Sequence, residues 1–425
     1  MKNIWWLIYN VFIIPLLYLV FRVARLFNQK IRSGFDRRRV QNSFLKEEIK
    51  QLDKSKKMIW FHSASLGEFE QAKPIIAKLK AEKDVNILVT FFSPSGYSNS
   101  RKYPYADLIA YIPFDFSKSV NEFLDIIYPD VVIFMRYDIW PNLLWALGER
   151  DISAMIVDAT MLKNSSRKLP FIKGFHISLY KYFNNFLTVS SDDAESFLDF
   201  KISKEKIEAV GDTRFDRVYQ KSLQAKSKKL FRDGLFEGKK IFLFGSSWEE
   251  DENIIFPAFE KLLKTNSDVV MVVAPHEPTV LHIEQIENYF NKKARTIRFS
   301  SKNNYSGESV VIIDSIGILL TLYYYANVAY VGGSFKQGIH NVLEPAVYGI
   351  PVIFGPKIEG SIEAKELVKR GASQIVTTKN EAHSLLEKLF SNSKYRSEMG
   401  LKASAYVNEN LGASEKIILE IKKYL

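Results

Sequence analysis

The hexapeptide Ser63-Ala64-Ser65-Leu66-Gly67-Glu68 links an apolar run, Met58 to His62, to a segment of helical spacing from Glu68 to Lys80. A carboxylate held at a helix start can meet a substrate hydroxyl, and in a dry cleft its pKa rises until it can serve as a general base. Acids in first turns also complement the helix dipole, so the pattern alone leaves both readings open. Ser65 and Gly67 flank the carboxylate, and the glycine permits close approach. A second constellation runs from Val328 to Pro356. There an apolar strand meets Gly332-Gly333-Ser334, Asn341 stands where it can cap a following helix, and Glu344 lies one turn further in, placed to accept from ribose hydroxyls. Gly349-Ile350-Pro351 ends that helix and Val352-Ile353-Phe354 begins the next strand, which makes the whole segment a βαβ unit resembling a nucleotide cradle.

Other polar residues fall at the carboxyl ends of predicted strands. Ser95 lies in Ser93-Pro94-Ser95-Gly96, Asp138 in Tyr137-Asp138-Ile139-Trp140-Pro141-Asn142, and Arg214 in Gly211-Asp212-Thr213-Arg214-Phe215-Asp216. His276 closes Ala274-Pro275-His276, and Ile316 and Gly317 follow Asp314-Ser315. Trp140 and Phe215 read as packing residues.

The elements that must position these groups alternate strand and helix. Strands are predicted at Met58 to His62, Asn86 to Thr90, Val131 to Met135, Ile152 to Val157 and Phe186 to Val189, with helices such as Ser119 to Ile127 between them. A second series follows Gly238: Ile241 to Phe244, Val269 to Ala274, Val310 to Ile313, Val328 to Val331 and Val352 to Phe354. Such alternation predicts an α/β fold of two doubly wound, Rossmann-like domains whose ligand-binding strand ends face a cleft. The predicted domains are 51–220 and 221–425, preceded by a membrane anchor with a basic juxtamembrane segment over 1–50.

Composition narrows the chemistry. The 425 residues are 47% hydrophobic and 25% charged, as in a folded protein long enough for two cores. With no cysteine, thiolate metal sites and cysteine nucleophiles are excluded, and the six histidines show no ligand spacing. No G-x-G-x-x-G, P-loop or Asp-x-Asp pair occurs. The chemistry predicted is therefore metal-free and cofactor-free. The net charge of +11 has no nucleic-acid reading motif behind it. Ile4 to Val20 is instead an apolar run opened by Trp5 and Trp6, and Arg22, Arg25, Lys30, Arg32 and Arg37-Arg38-Arg39 follow it. An apolar run before a basic stretch, with no small-residue cleavage site, predicts a retained anchor at an acidic membrane surface, with the following chain cytoplasmic.

In this order, Ser65-Leu66-Gly67-Glu68, Trp140-Pro141-Asn142, Gly211 to Asp216 and Gly332 to Pro356 resemble the 3-deoxy-D-manno-octulosonic acid (Kdo) transferases, membrane-associated GT-B glycosyltransferases of lipopolysaccharide synthesis. The resemblance implies inverting, metal-independent transfer of Kdo from CMP-Kdo to a lipid A precursor (lipid IVA) at the inner membrane. It implies that Glu68 is the general base, that Asn341 and Glu344 lie near the donor ribose, and that Ile316 and Gly317 lie near its base. The chain departs from the family where Met135-Arg136-Tyr137-Asp138 replaces a Met-Glu-x-Glu pattern, and Ala274-Pro275-His276-Glu277-Pro278-Thr279 lacks two arginines. Arg214, Lys336 or helix amides are the groups left to hold the donor phosphate. Two other readings of the residues are a GT-B glycosyltransferase using another sugar nucleotide and a non-catalytic nucleotide-sugar-binding membrane protein.

Overall fold

The computed structural model describes residues 4–425. The chain divides into two compact units, one running to Arg217 and rejoined by Leu411–Leu425, the other Val218–Asn410.

In the first unit seven strands pair in parallel: β1 (Met58–Ser63), β2 (Asn86–Phe91), β3 (Leu108–Tyr111), β4 (Val131–Met135), β5 (Ser153–Ala159), β6 (Asn185–Thr188) and β7 (Ile207–Ala209). Their order is β3-β2-β1-β4-β5-β6-β7. The central strands β1, β2 and β4 are buried at every position, the signature of a parallel sheet covered on both faces. The chain winds outward from β1 to β3, then returns to β4 on the other side of β1. The resulting switch point opens a crevice at the carboxyl ends of β1 and β4. Helix Leu66–Glu82 leaves that crevice and buries Phe69, Ala72, Ile75, Ile76 and Leu79 against the sheet.

The amino-terminal helix belongs to this unit. Ile4–Ile8 and Ile14–Phe27 are α-helical, and Tyr9–Ile13 between them is a π turn. Its inner face is occupied by protein: Tyr9 and Ile14 are buried, and Trp5 meets the ring of Phe171 at 4.7 Å. The amides of Asn10 and Asn142 bond each other reciprocally, at 3.0 and 2.8 Å. The outer face, with Leu7, Val11, Phe12, Leu16, Leu19, Val23 and Leu26, is exposed. By length and composition the helix is apolar enough to cross a membrane. Asn28 ends it and caps the next helix, Gln29–Lys50, by accepting from the amides of Lys30 and Ile31.

The second unit repeats the plan with β8 (Lys240–Ser247), β9 (Val269–Pro275), β10 (Thr296–Arg298), β11 (Val310–Ile312), β12 (Val328–Val331), β13 (Val352–Phe354) and β14 (Ser373–Ile375), again all parallel. The order β10-β11-β9-β8-β12-β13-β14 puts its switch point between β8 and β12. The expectation that 221–425 forms one domain is corrected at its end. Helix Ala413–Lys422 contributes Ile417, Ile418 and Ile421 to the core under helix Leu66–Glu82. Asp216 holds the start of that returning segment by accepting from the amides of Gly412, at 2.8 Å, and Ser414, at 2.6 Å.

Candidate active site

Ser65 caps helix Leu66–Glu82, and its hydroxyl accepts from the Glu68 amide at 3.5 Å. Glu68 Oε2 in turn accepts from the Ala64 amide at 2.6 Å. This is a capping arrangement, the structural reading of the sequence, and it leaves the carboxylate at the switch point. Burial raises its pKa above the ordinary carboxylate range, which the Ala64 amide opposes; the charge of Asp138 raises it further, while His62 and Arg136 act against the rise. A Cβ on Gly67 would meet only the Ser65 hydroxyl, at 3.8 Å, so the space over this first turn is open.

From β4 comes Asp138, whose Oδ2 lies 2.9 Å from His62 Nε2 and accepts from the Trp140 indole at 3.2 Å. His62 Nδ1 is 2.9 Å from the Thr90 hydroxyl, and that oxygen accepts from the Trp60 indole at 2.7 Å. A carboxylate can only accept, so Nε2 gives its proton to Asp138 and Nδ1 is left to accept from the Thr90 hydroxyl, whose oxygen accepts from the indole. The chain Trp60–Thr90–His62–Asp138 thus fixes the Asp138 carboxylate from beneath the sheet. Trp140, expected only to pack, also orients this acid.

Ser95 is exposed, and its hydroxyl lies 3.3 Å from that of Ser93. Ser93 donates its amide to the Ala64 carbonyl at 2.9 Å, tying this loop to the one that carries Glu68. Arg214 grips Asp212 through Nε at 2.8 Å and Nη2 at 2.6 Å, so its guanidinium has a carboxylate partner within its own turn. Close by, Asp158 is fully buried, and burial together with the charge of Asp212 pushes its pKa up to about 7.

The second unit treats its predicted residues unevenly. Gly332 sits where a Cβ would lie 2.1 Å from the Ser246 carbonyl oxygen, and Gly333 has φ +95°. The Gly333 amide donates to Asp251 at 2.8 Å, and the buried Ser334 hydroxyl accepts from Gly355 at 2.6 Å. The glycine turn is therefore also a packing device. Its amide is spent on Asp251, a buried acid with pKa about 6 that also accepts from Tyr330 at 2.9 Å. The helix expected to run on toward Gly349 is a single turn, Leu343–Ala346. Asn341 nevertheless caps it, accepting from Leu343 at 3.1 Å and donating to Glu344 at 3.3 Å. Burial raises the Glu344 pKa, against the opposing charge of Lys221. Lys336 pairs with Glu250 at 2.6 Å.

At the ends of β8, β9 and β12 three rings come together. The Trp248 indole donates to His340 Nε2 at 2.9 Å with the two rings nearly coplanar, and His276 stacks on both, 4.7 Å from Trp248 and 4.4 Å from His340. Burial and the neighbouring His276 lower the His340 pKa, consistent with a ring nitrogen that accepts. Ile316 is 81% exposed, and open space surrounds Gly317, whose φ is +79°. His62, Asp251, Trp248 and His340 went unread in the sequence. The histidine ending the first apolar strand and the tryptophan just after β8 were the signals on offer.

Two parallel, doubly wound sheets in one chain, one carrying a part-buried acid at its switch point and the other a ring stack and an Asn–Glu pair, make up a GT-B fold. Residues 37–217 match the family described as 3-deoxy-D-manno-octulosonic-acid transferase (kdotransferase). A 3-deoxy-D-manno-octulosonic acid transferase of Aquifex aeolicus is 31% identical over 353 residues, 82% of this chain and 89% of that protein. A bifunctional glycosyltransferase/methyltransferase of Fusobacterium nucleatum is 28% identical over 75% of this chain, which spans only 50% of that longer protein. Among solved structures, the UDP-GlcNAc 2-epimerase of Neisseria meningitidis shares the fold with a TM-score of 0.60 at 15% identity, covering 86% of this chain and 100% of its own. The chain belongs to the Kdo transferase family. It is a glycosyltransferase of lipopolysaccharide synthesis.

Proposed function

We propose that the protein transfers Kdo from CMP-Kdo to a lipid A precursor, lipid IVA, in one inverting, metal-independent displacement. The observation that carries this reading is Glu68, a carboxylate with a burial-raised pKa standing in the first turn of the helix that follows β1. Glu68 takes the acceptor hydroxyl's proton while that oxygen bonds to the anomeric carbon. The bond from this carbon to the CMP phosphate oxygen breaks, and CMP leaves with the electron pair. A single displacement inverts the centre and passes through an oxocarbenium-like transition state.

On the donor side, Asn341 and Glu344 are assigned to the ribose, the exposed Ile316 with Gly317 to the base, and His276 to the donor through its exposed ring. On the acceptor side stand Ser65, Gly67, Ser95 and Asp138. Arg214, already paired with Asp212, is assigned there as well.

The membrane is the remaining partner. The exposed apolar face of helix Ile4–Phe27, followed by the exposed Arg22, Arg32, Arg37 and Arg39, suits attachment to an acidic leaflet at the cytoplasmic face of the inner membrane.

The test offers CMP-Kdo and, separately, a UDP-sugar to the purified protein with tetra-acylated lipid A precursor and weighs the lipid. Addition of Kdo, lost in Glu68→Gln, is the expected result. A heavier lipid formed only from the UDP-sugar would overturn the donor assignment. Co-flotation with phosphatidylglycerol vesicles, abolished by Leu16→Asp with Leu19→Asp, tests the attachment.

A further inference from the structure

Arg136, the residue after β4, has φ +65°, a left-handed conformation that an arginine rarely adopts. Its amide donates to the Val157 carbonyl at 2.7 Å, so the ladder with β5 continues through this residue while its backbone leaves the strand conformation. Backbone strain of this kind collects at functional sites, where the surrounding structure over-determines it.

The guanidinium is in an unusual position. Its charge reaches both Glu68 and Asp158. Yet among the described residues it makes no ion pair with either, and Nε is buried without any hydrogen-bond partner. A counter-ion for these acids would be hydrogen-bonded to one of them, since a buried charged donor left unpaired is costly. The neighbouring Tyr137 is 47% exposed, and its ring lies 5.8 Å from the guanidinium carbon of Arg136 and 5.0 Å from that of Arg167. Two guanidinium groups thus share one half-exposed ring beside the candidate base.

We infer that Arg136 is the receptor for an anionic group on the acceptor, a phosphate or carboxylate, and that it thereby selects which acceptor hydroxyl reaches Glu68. The guanidinium fork matches the two oxygens of such a group, and an arginine keeps its charge in a partly buried site. The inference rests on Glu68 handling the acceptor hydroxyl. An anion held at Arg136 is held next to that hydroxyl, within the same switch-point crevice. Arg136 is in this sense a specificity-determining residue, and Tyr137 with Arg167 forms the wall against which its fork is set.

The experiment compares wild type, Arg136→Gln, Arg136→Lys and Arg136→Gly with two acceptors, a bis-phosphorylated acylated glucosamine disaccharide and its phosphatase-treated form. Direct binding in detergent is measured by calorimetry, and acceptor KM, donor KM and kcat by transfer. For Arg136→Gln we expect binding of the phosphorylated acceptor to weaken by about tenfold or more, with a matching rise in its KM. Binding of the dephosphorylated form and the donor KM should be unchanged. Arg136→Lys should recover part of the loss. Arg136→Gly relaxes the left-handed backbone and should melt no lower than wild type while losing the same discrimination, which separates recognition from folding. A carboxylate source is read by a third acceptor that carries the sugar acid in place of the phosphate, and loss confined to that acceptor supports the inference equally. Equal losses for charged and uncharged acceptors, or a rise in donor KM alone, would overturn it. If wild type binds the phosphorylated acceptor but transfers nothing to it, the proposed function fails while the binding comparison still decides the role of Arg136.

Discussion

His62 Nε2 lies 2.9 Å from Asp138 Oδ2 and joins the ends of β1 and β4 at the point where the first sheet reverses its winding. The histidine is fully buried, and its other nitrogen is held by Thr90. Asp138 therefore acts as the part-buried outer end of a chain anchored in the sheet.

Replacing Asp138 by Ala removes the oxygen that receives the His62 proton, whereas Asn keeps an amide oxygen that can still accept it. A buried N–H without a good acceptor costs about 1–3 kcal/mol. Thermal melting should show the first unit destabilised by that order, and Asp138→Ala should fare worse than Asp138→Asn.

Glu68 must be ionised to take a proton, and its folded pKa lies above the usual carboxylate value. The rate should therefore climb with pH through that raised pKa and level off above it. Glu68→Gln should lower kcat by roughly a hundred- to ten-thousand-fold and abolish this limb of the profile. A pH series of kcat/KM on both proteins measures it.

Asp115, fully buried under the amides of Asn142 and Leu143, has its pKa pushed up to about 7, chiefly by burial. A raised acid binds its proton more tightly folded than unfolded. Its stabilising contribution is complete below the unfolded value near 4 and is lost as pH rises through about 7. Denaturant unfolding between pH 4 and 8 should show the slope, and Asp115→Asn should flatten it.

Two glycines of the second unit should respond very differently to alanine. At Gly332 the added methyl would lie 2.1 Å from a backbone oxygen, whereas at Gly317 it meets nothing within 4 Å. Gly317→Ala should cost only about 1 kcal/mol, for its left-handed backbone. Gly332→Ala should exceed this several-fold and unfold β12 from β8, which proteolysis and melting would both report.

The sheets were legible where strands are buried on both faces, because such strands are unbroken apolar runs. The four strands that escaped, β3, β7, β10 and β14, are the four sheet edges. They are three or four residues long, and β7 and β10 have no buried position, so no run exceeds the background. Glu68 was legible because its place between strand and helix is a local pattern. His62 was hidden inside a strand whose every position is buried, where one polar residue reads as core. The packing role of Gly332 was hidden because a sequence shows a glycine's freedom and not the Ser246 carbonyl that requires it. The last helix was assigned to the wrong unit because its isoleucines show only that it packs, and their partners lie more than three hundred residues earlier.

On the proposed membrane attachment, the reciprocal amides of Asn10 and Asn142 act as a fixed gauge of depth. Asn142 opens the helix Pro141–Glu149, directly after the Asp138–Trp140 turn, so the lipid-facing helix and the acceptor-side loop are rungs of one rigid ladder. On the proposed attachment, the height of Glu68 above the bilayer is set by protein geometry and not by a flexible tether.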